Sequence, residues 1–240
     1  MSYSQPEQPH YSVVEPGLPA FERAVELTAQ GFRQEVSEEL ELDVKNHLHG
    51  DILRRITLGP DTIGYAVFQN HAIDLERRSV SVLYLAGLII SPDHQGQHIS
   101  QRVIDDAVKE GCPDYFGFRT QSSIMYAAAL QRFREIYPSL DGSPISPEDY
   151  SVGSALAQRI NSSFPLHRAC YGGPLYGDKP LHRNAVLQAQ FDQLCPDYKA
   201  GDAILCVAKV NDERQTPGDI ETVTVRTATK TEWRMLAVRV

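Results

Sequence analysis

A β-prone apolar run from Val80 to Ile90 delivers the chain into Ser91-Pro92-Asp93-His94-Gln95-Gly96-Gln97, then into a segment with Ile99, Val103, Ile104, Ala107 and Val108 on one helical face. No other stretch restricts the fold as much. A buried strand, a tight polar turn and an amphipathic helix in direct succession lay the helix back on the sheet and set the next strand beside the first, through a right-handed crossover. The same step offers first-turn N–H groups without intrahelical acceptors, at the positive end of a helix dipole, behind a short glycine-containing loop. That combination suits a phosphate.

The flanking segments supply the rest of a sheet. Tyr11 to Glu15 reads as a first strand stopped by Pro16-Gly17. From Pro19 to Gln34, Phe21, Val25, Ala29 and Phe32 recur at helical steps. Asp51 to Thr57 and Thr62 to Ile73 alternate across the turn Gly59-Pro60-Asp61, and the charged turn from Asp74 to Arg78 leads back into Val80. After the helix, Gly111 is placed to end it in the left-handed conformation; Tyr115 to Thr120 is a short strand and Ser122 to Glu135 a second amphipathic helix. From Tyr137 to Lys199 the prolines at 138, 144, 147, 165, 174, 180 and 196 interrupt the pattern, with helices expected from Pro147 to Asn161 and Leu181 to Leu194. Ala203 to Val210, Thr222 to Val225 and Trp233 to Val240 return to β propensity. The fold class expected is α+β: a mixed, mostly antiparallel sheet with one central parallel step and a helical insertion before the last strands. The organisation expected is a tail over 1–10 and a single domain over 11–240, with its core in 11–136 and 201–240 and an insertion at about 137–200.

Charge and cysteine usage narrow the partners. With 31 acidic and 23 basic residues the net charge is −8, which disfavours nucleic acid and favours a cationic small molecule or a basic segment. The run Glu35, Glu38, Glu39, Glu41, Asp43 is the densest charge feature, readable as a solvated helix face or as an acidic rim for such a molecule. The apolar run Leu85 to Ile90 is far too short to span a bilayer and the first residues lack a basic and apolar leader, so no membrane partner and a cytoplasmic location are expected. Cys112, Cys170, Cys195 and Cys206 form no CxxC pair, so reduced thiols and no metal are expected.

The stretch Ile90-Ser91-Pro92-Asp93-His94-Gln95-Gly96-Gln97-His98-Ile99-Ser100 resembles the signature of the GNAT superfamily of acetyl-CoA-dependent N-acetyltransferases, roughly V-x-P-x-x-[QR]-G-x-G-x-[GA] after the fourth strand. Ile90, Pro92, Gln95 and Gly96 stand at matching places, while His98 and Ser100 replace small residues. The likeness covers about half of the chain, from Tyr11 to Ile136. It implies a GNAT-like fold with acetyl-CoA as cosubstrate. Backbone groups from Gln95 through Gln97, His98, Ile99 and Ser100 to Gln101 would hold its pyrophosphate, and N–H groups near Leu88, Ile89 and Ile90 would polarise the thioester carbonyl. His98 is then either a further phosphate donor or an exposed first-turn residue.

The resemblance also implies direct attack by an acceptor amine. Ser122 stands where relatives carry an Asn that anchors the pantetheine arm, and is also a good helix N-cap. The family's acidic Tyr would fall at Ala129; Tyr126, one turn earlier, is the available candidate to protonate the leaving thiolate or else a groove-filling ring. No carboxylate occupies the Val80 to Ile90 strand, so Tyr84, Glu35 and Glu38 are the candidates for the acceptor side. A small cationic amine is the expected acceptor, with the insertion closing over it or forming a homodimer contact. Two competing classes remain at this point: an acyl-CoA-binding module without turnover, and a thiol hydrolase using Cys170 near His167.

Overall fold

The computed structural model of the chain describes residues 11–14 and 20–210. The expected tail over 1–10 and the expected strands at 222–225 and 233–240 lie outside the described residues. Strands β1 (Tyr11–Val14), β2 (Ile52–Leu58), β3 (Asp61–Asp74), β4 (Ser79–Ile90), β5 (Tyr115–Thr120), β6 (Ile136–Tyr137), β7 (Leu166–His167) and β8 (Ala203–Lys209) form one sheet. Its order is β1-β2-β3-β4-β5-β8-β6, with β7 also on β8. The helices are α1 (Phe21–Phe32), α2 (Glu38–His47), α3 (Ile99–Gly111), α4 (Ser123–Arg132), α5 (Pro147–Arg159) and α6 (Ala185–Leu194). The β4–β5 pair is parallel, and every other ladder described is antiparallel. The α+β, mostly antiparallel class with one parallel step is therefore what the chain adopts.

Alternation along β4 explains how the sheet holds helices on both faces. Leu83 and Leu85 pack with Ile99, Val103 and Ile104 of α3 and with Tyr126 of α4, in a core that also takes Phe191 of α6. Val80, Val82 and Tyr84 pack with Val152 and Leu156 of α5, and Ile89 lies with Ala24, Leu27 and Val44 of α1 and α2. The change of register between Val67 and Phe68 leaves Ala86 of β4 as an extra residue, a bulge in the middle of the strand.

Gly64 of β3 lets β4 approach closely. A Cβ at Gly64 would stand 2.4 Å from the carbonyl oxygen of Ile89, a backbone atom that cannot turn aside. Gly64→Ala is expected to cost about 2 kcal/mol by overpacking, read as a lower denaturation midpoint at unchanged slope.

Several expectations shift in detail. Gly111 stays helical and Cys112 takes the left-handed position, φ 41°, because the helix runs one residue further before Pro113 stops it. The acidic segment is the short helix α2, capped by Ser37, whose hydroxyl accepts from the Leu40 N–H. The proline-rich insertion also supplies strands: β6 and β7, two residues each, pair with the outer edge of β8. Ladders that short have no readable alternation.

Candidate active site

The parallel ladder joins Val82, Leu83, Tyr84 and Leu85 to Tyr115, Phe116, Gly117 and Phe118, and goes no further. Beyond it Gly87 to Ile90 stay on β3 while Arg119 and Thr120 stay on β8, so the strands diverge and the backbone of β4 past Leu85 has no partner on β5. A cavity of about 130 Å³ lies at this divergence, bounded by α1, α2, the ends of β4 and β5, and the segment 171–176. That is room for roughly four water molecules at liquid density. Leu88 and Ile89 line it; Ile90 is the strand end that feeds the loop.

The loop ends in the uncapped N-terminus of α3. Pro92–His94 form a 3₁₀ turn, fixed by Ser91 Oγ against His94 Nδ1 at 2.8 Å and by Gln95 Nε2 donating to the Ile90 carbonyl at 2.9 Å. Gly96 has φ 76° with open space where a Cβ would be, and His98 has φ 59° as the residue before α3. His is one of the few non-glycine residues that tolerate this region, which is how the chain keeps a glycine-like turn there. The His98 side chain does not cap α3: its Nδ1 meets Gln101 Oε1 at 2.7 Å, and Gln101 Nε2 donates to Gln131 of α4. With no cap and no acid in the first turn, the N–H groups of Ile99, Ser100 and Gln101 are left for a ligand. The Gln97 side chain turns back to the Asp93 carbonyl at 3.3 Å.

The cavity also holds His47 and Arg119, which the sequence reading did not single out. His47, at the end of α2, lines the cavity; its Nδ1 contacts the Asp43 carbonyl at 2.8 Å and the Asp43 carboxylate at 3.3 Å, leaving Nε2 as the free nitrogen. The hydrogen bond to Asp43 raises the His47 pKa above 6.5, against burial and the nearby Arg119 charge, which lower it. Its ring stands over the bulged part of β4, since a Cβ at Gly87 would lie 4.0 Å from His47 Cδ2. Opposite, Tyr65 gives its hydroxyl proton to Thr28 at 2.7 Å, Thr28 itself donating to the Ala24 carbonyl. Arg119 of β5 also lines the cavity, its guanidinium carbon 5.2 Å from the centre of the Tyr171 ring.

Segment 171–176 is strapped across the opening. Buried Gln121 accepts from Leu175 N at 2.7 Å and donates to the Asp202 carbonyl at 2.8 Å. On the other side Gly177 N donates to the Phe32 carbonyl at 2.8 Å, Gln34 reaches the Leu175 carbonyl, and the Tyr176 ring meets Phe32 edge to face. Tyr171, Leu175 and Tyr176 thereby become a wall of the cavity.

The strand order, the single parallel step and the uncapped helix at its mouth together decide the architecture. This is the strand order with one parallel step that the resemblance in sequence implies. Solved structures similar to it include the ribosomal-protein-S18-alanine N-acetyltransferase from Escherichia coli, at 12% identity over 86% of this chain and 99% of that one, TM-score 0.46. A GNAT family acetyltransferase from Elizabethkingia anophelis with acetyl-CoA bound is 13% identical over 85% and 100%, TM-score 0.44. A GCN5-related N-acetyltransferase from Kribbella flavida is 13% identical over 52% of this chain, TM-score 0.40, and the chain spans a third (33%) of its length. No family model matches the sequence, and no curated protein is similar to it.

The other sequence candidates fall away from the cavity. Tyr126 is fully buried in the core between α4 and α6, its hydroxyl donating to the Pro138 carbonyl at 2.5 Å, because its helical position points it under the sheet and not toward the strand ends. Tyr126→Phe is accordingly expected to cost about 1 kcal/mol of stability and to leave turnover within about twofold, read from the denaturation midpoint and the rate of CoA release. Ser122 caps α4 by accepting from Met125 N, and its side chain also meets the Tyr176 hydroxyl. Tyr84 is buried against α5, and burial raises its pKa further. Glu35 and Glu38 are exposed and outside the cavity wall, where the acid present is Asp43. His167 bonds Ser162 at 2.9 Å, and burial raises the Cys170 thiol pKa, with Arg119 lowering it. Among the described residues no cluster of His, Cys, Asp or Glu could hold a metal ion, and no helix is long and apolar enough to cross a membrane.

Proposed function

We propose that the protein transfers an acetyl group from acetyl-CoA to the amine of a small molecule by direct attack, with His47 as the base. The observation that carries this reading is the divergence of β4 from β5, with an uncapped helix N-terminus at one end and the His47–Asp43 pair over Gly87 at the other. The pyrophosphate takes the N–H groups of the loop from Gly96 to Gln101, the Gln95 N–H being spent on the Pro92 carbonyl, and the thioester carbonyl takes the free backbone of β4 near Leu88, Ile89 and Ile90. The amine nitrogen forms a bond to the carbonyl carbon, the carbon–sulfur bond breaks, and the proton lost by nitrogen passes to Nε2 of His47 and on to solvent or the departing sulfur. A thiol of ordinary acidity, near 8.5, leaves readily, so no buried Tyr is needed for that step.

Acetyl-CoA with a panel of amines, followed by release of free CoA thiol, tests this. Turnover with at least one amine is expected, and no detectable binding of CoA defeats the reading. One observation favours a second reading, an acyl-CoA-binding module: Tyr126, the candidate acid of the sequence, is buried in the core with its hydroxyl on the Pro138 carbonyl. CoA binding without thiol release to any amine would select it.

A further inference from the structure

Arg119 is the unusual charge of this molecule. Its Nε is buried with no hydrogen-bond partner, and among the described residues no carboxylate pairs with its guanidinium. Arg54, by contrast, is paired with Glu110, Arg132 with Asp105 and Arg168 with the buried Asp202. What surrounds Arg119 is neutral at physiological pH: the Tyr171 ring and hydroxyl, Tyr84 on the neighbouring strand, and Cys170, each raised in pKa by burial. The acid in the cavity, Asp43, is engaged with His47. A guanidinium withdrawn from water without a counter-charge is unfavourable, and its planar fork matches a carboxylate through paired hydrogen bonds. Arg55 Nε is buried without a partner too, but Arg119 is the arginine that lines the cavity, and the Tyr171 hydroxyl that hydrogen-bonds its guanidinium brings no counter-charge.

We infer that Arg119 is the seat for a carboxylate carried by the acceptor, so that the acceptor is an amino acid or a molecule of that class, with amine and carboxylate a few atoms apart. This rests on the acyl-transfer reading and narrows it. His47 and Arg119 line the same small cavity, near enough for the Arg119 charge to oppose protonation of His47. An acceptor held by its carboxylate on Arg119 brings its amine toward Nε2 of His47 and the mouth of β4. The Tyr171 ring, against the guanidinium, keeps that group from swinging out to solvent. The exposed Glu35 and Glu38 have no part in it.

The test uses alanine, leucine, phenylalanine, lysine and glutamate, each with its carboxamide and its decarboxylated amine, on the full chain with acetyl-CoA. At least one amino acid is expected to exceed both analogues by about 100-fold in kcat/KM, mostly through KM. Arg119→Gln should bring acid and amide to within about threefold, and Arg119→Lys, which keeps the charge without the fork, should fall between. Calorimetric titration of the same compounds into the CoA-bound protein separates the inference from the reading beneath it. Carboxylate-dependent binding that is lost in Arg119→Gln supports the seat even if no thiol is released, an outcome that defeats acyl transfer alone. Equal use and equal binding of acids and amides overturn the assignment, as does an acid preference that survives in a folded Arg119→Gln.

Discussion

Replacing His47 by glutamine is expected to lower kcat/KM for acetyl transfer by about 10²–10³, the usual contribution of a positioned base, while the CoA affinity stays within about twofold. His47 reaches the bulged segment of β4 from α2 and does not touch the loop before α3, so the two effects separate. The pH profile carries the more specific signature. The hydrogen bond that His47 donates to Asp43 raises the His47 pKa above 6.5, and the base works only when neutral. Wild-type rates should therefore climb with pH through a midpoint above 6.5, Asp43→Asn should move that limb to lower pH, and His47→Gln should abolish it. A limb that persists unchanged in His47→Gln belongs to the acceptor amine and removes the assignment. Stability responds with its own sign. A histidine whose pKa is raised by folding contributes stability that is complete below the unfolded value of 6.5 and is lost as pH rises through the folded value. Wild type should thus lose a small part of its advantage over Asp43→Asn between mildly acidic and mildly alkaline pH.

Ser100→Glu should push stability and ligand affinity in opposite directions. Ser100 sits in the first turn of α3, where no acid now stands and no side chain caps the helix. A carboxylate there interacts favourably with the helix dipole, and the fold should gain about 0.5 kcal/mol. The same carboxylate competes for the N–H groups offered to the pyrophosphate and repels it, so the KM for acetyl-CoA should rise about 10- to 100-fold through a loss of about 1.4–2.7 kcal/mol of binding. Thermal denaturation and the KM for acetyl-CoA are the two measurements. An inert strand–turn–helix would show the first change without the second, so an unaltered KM would falsify the anion seat.

Much of the fold is legible from pattern because its signals are local. The hairpin of β2 and β3, the run of β4 into α3 and the step from β5 to α4 are each encoded within a few consecutive residues, by alternation, helical spacing and a turn. The loop before α3 is legible for the same reason, even with His98 where a glycine was expected, since its left-handed conformation is the one that glycine would supply. The interior of the cavity was not legible. His47, Arg119 and Tyr171 come from α2, β5 and the strap, and only the crossover and the Gln121–Leu175 anchor bring them together. A pairing of Asp43 with His47 one turn apart is the signal that could have been found; it lay at the far end of an acidic run that drew attention to Glu35 and Glu38 instead. Tyr126 shows the converse limit. It stood one turn before the place that spacing from Ser122 assigns to an acid, and the rotation of α4 on the sheet, which no spacing encodes, put it in the core.

The short strands β6 and β7 carry a consequence for how this molecule meets its copies. Strand β8 is the most continuously buried of the sheet, and an open edge along it would template pairing with another chain. Ile136 and Tyr137 cover Ala208 and Val207, and Leu166 and His167 cover Ile204 and Ala203, so these stubs sit as two clips along its outer side. Each is too short to propagate a ladder of its own. A second copy cannot lengthen the sheet along β8 without first prising both clips away, and this buried strand is thereby kept out of reach of its neighbours.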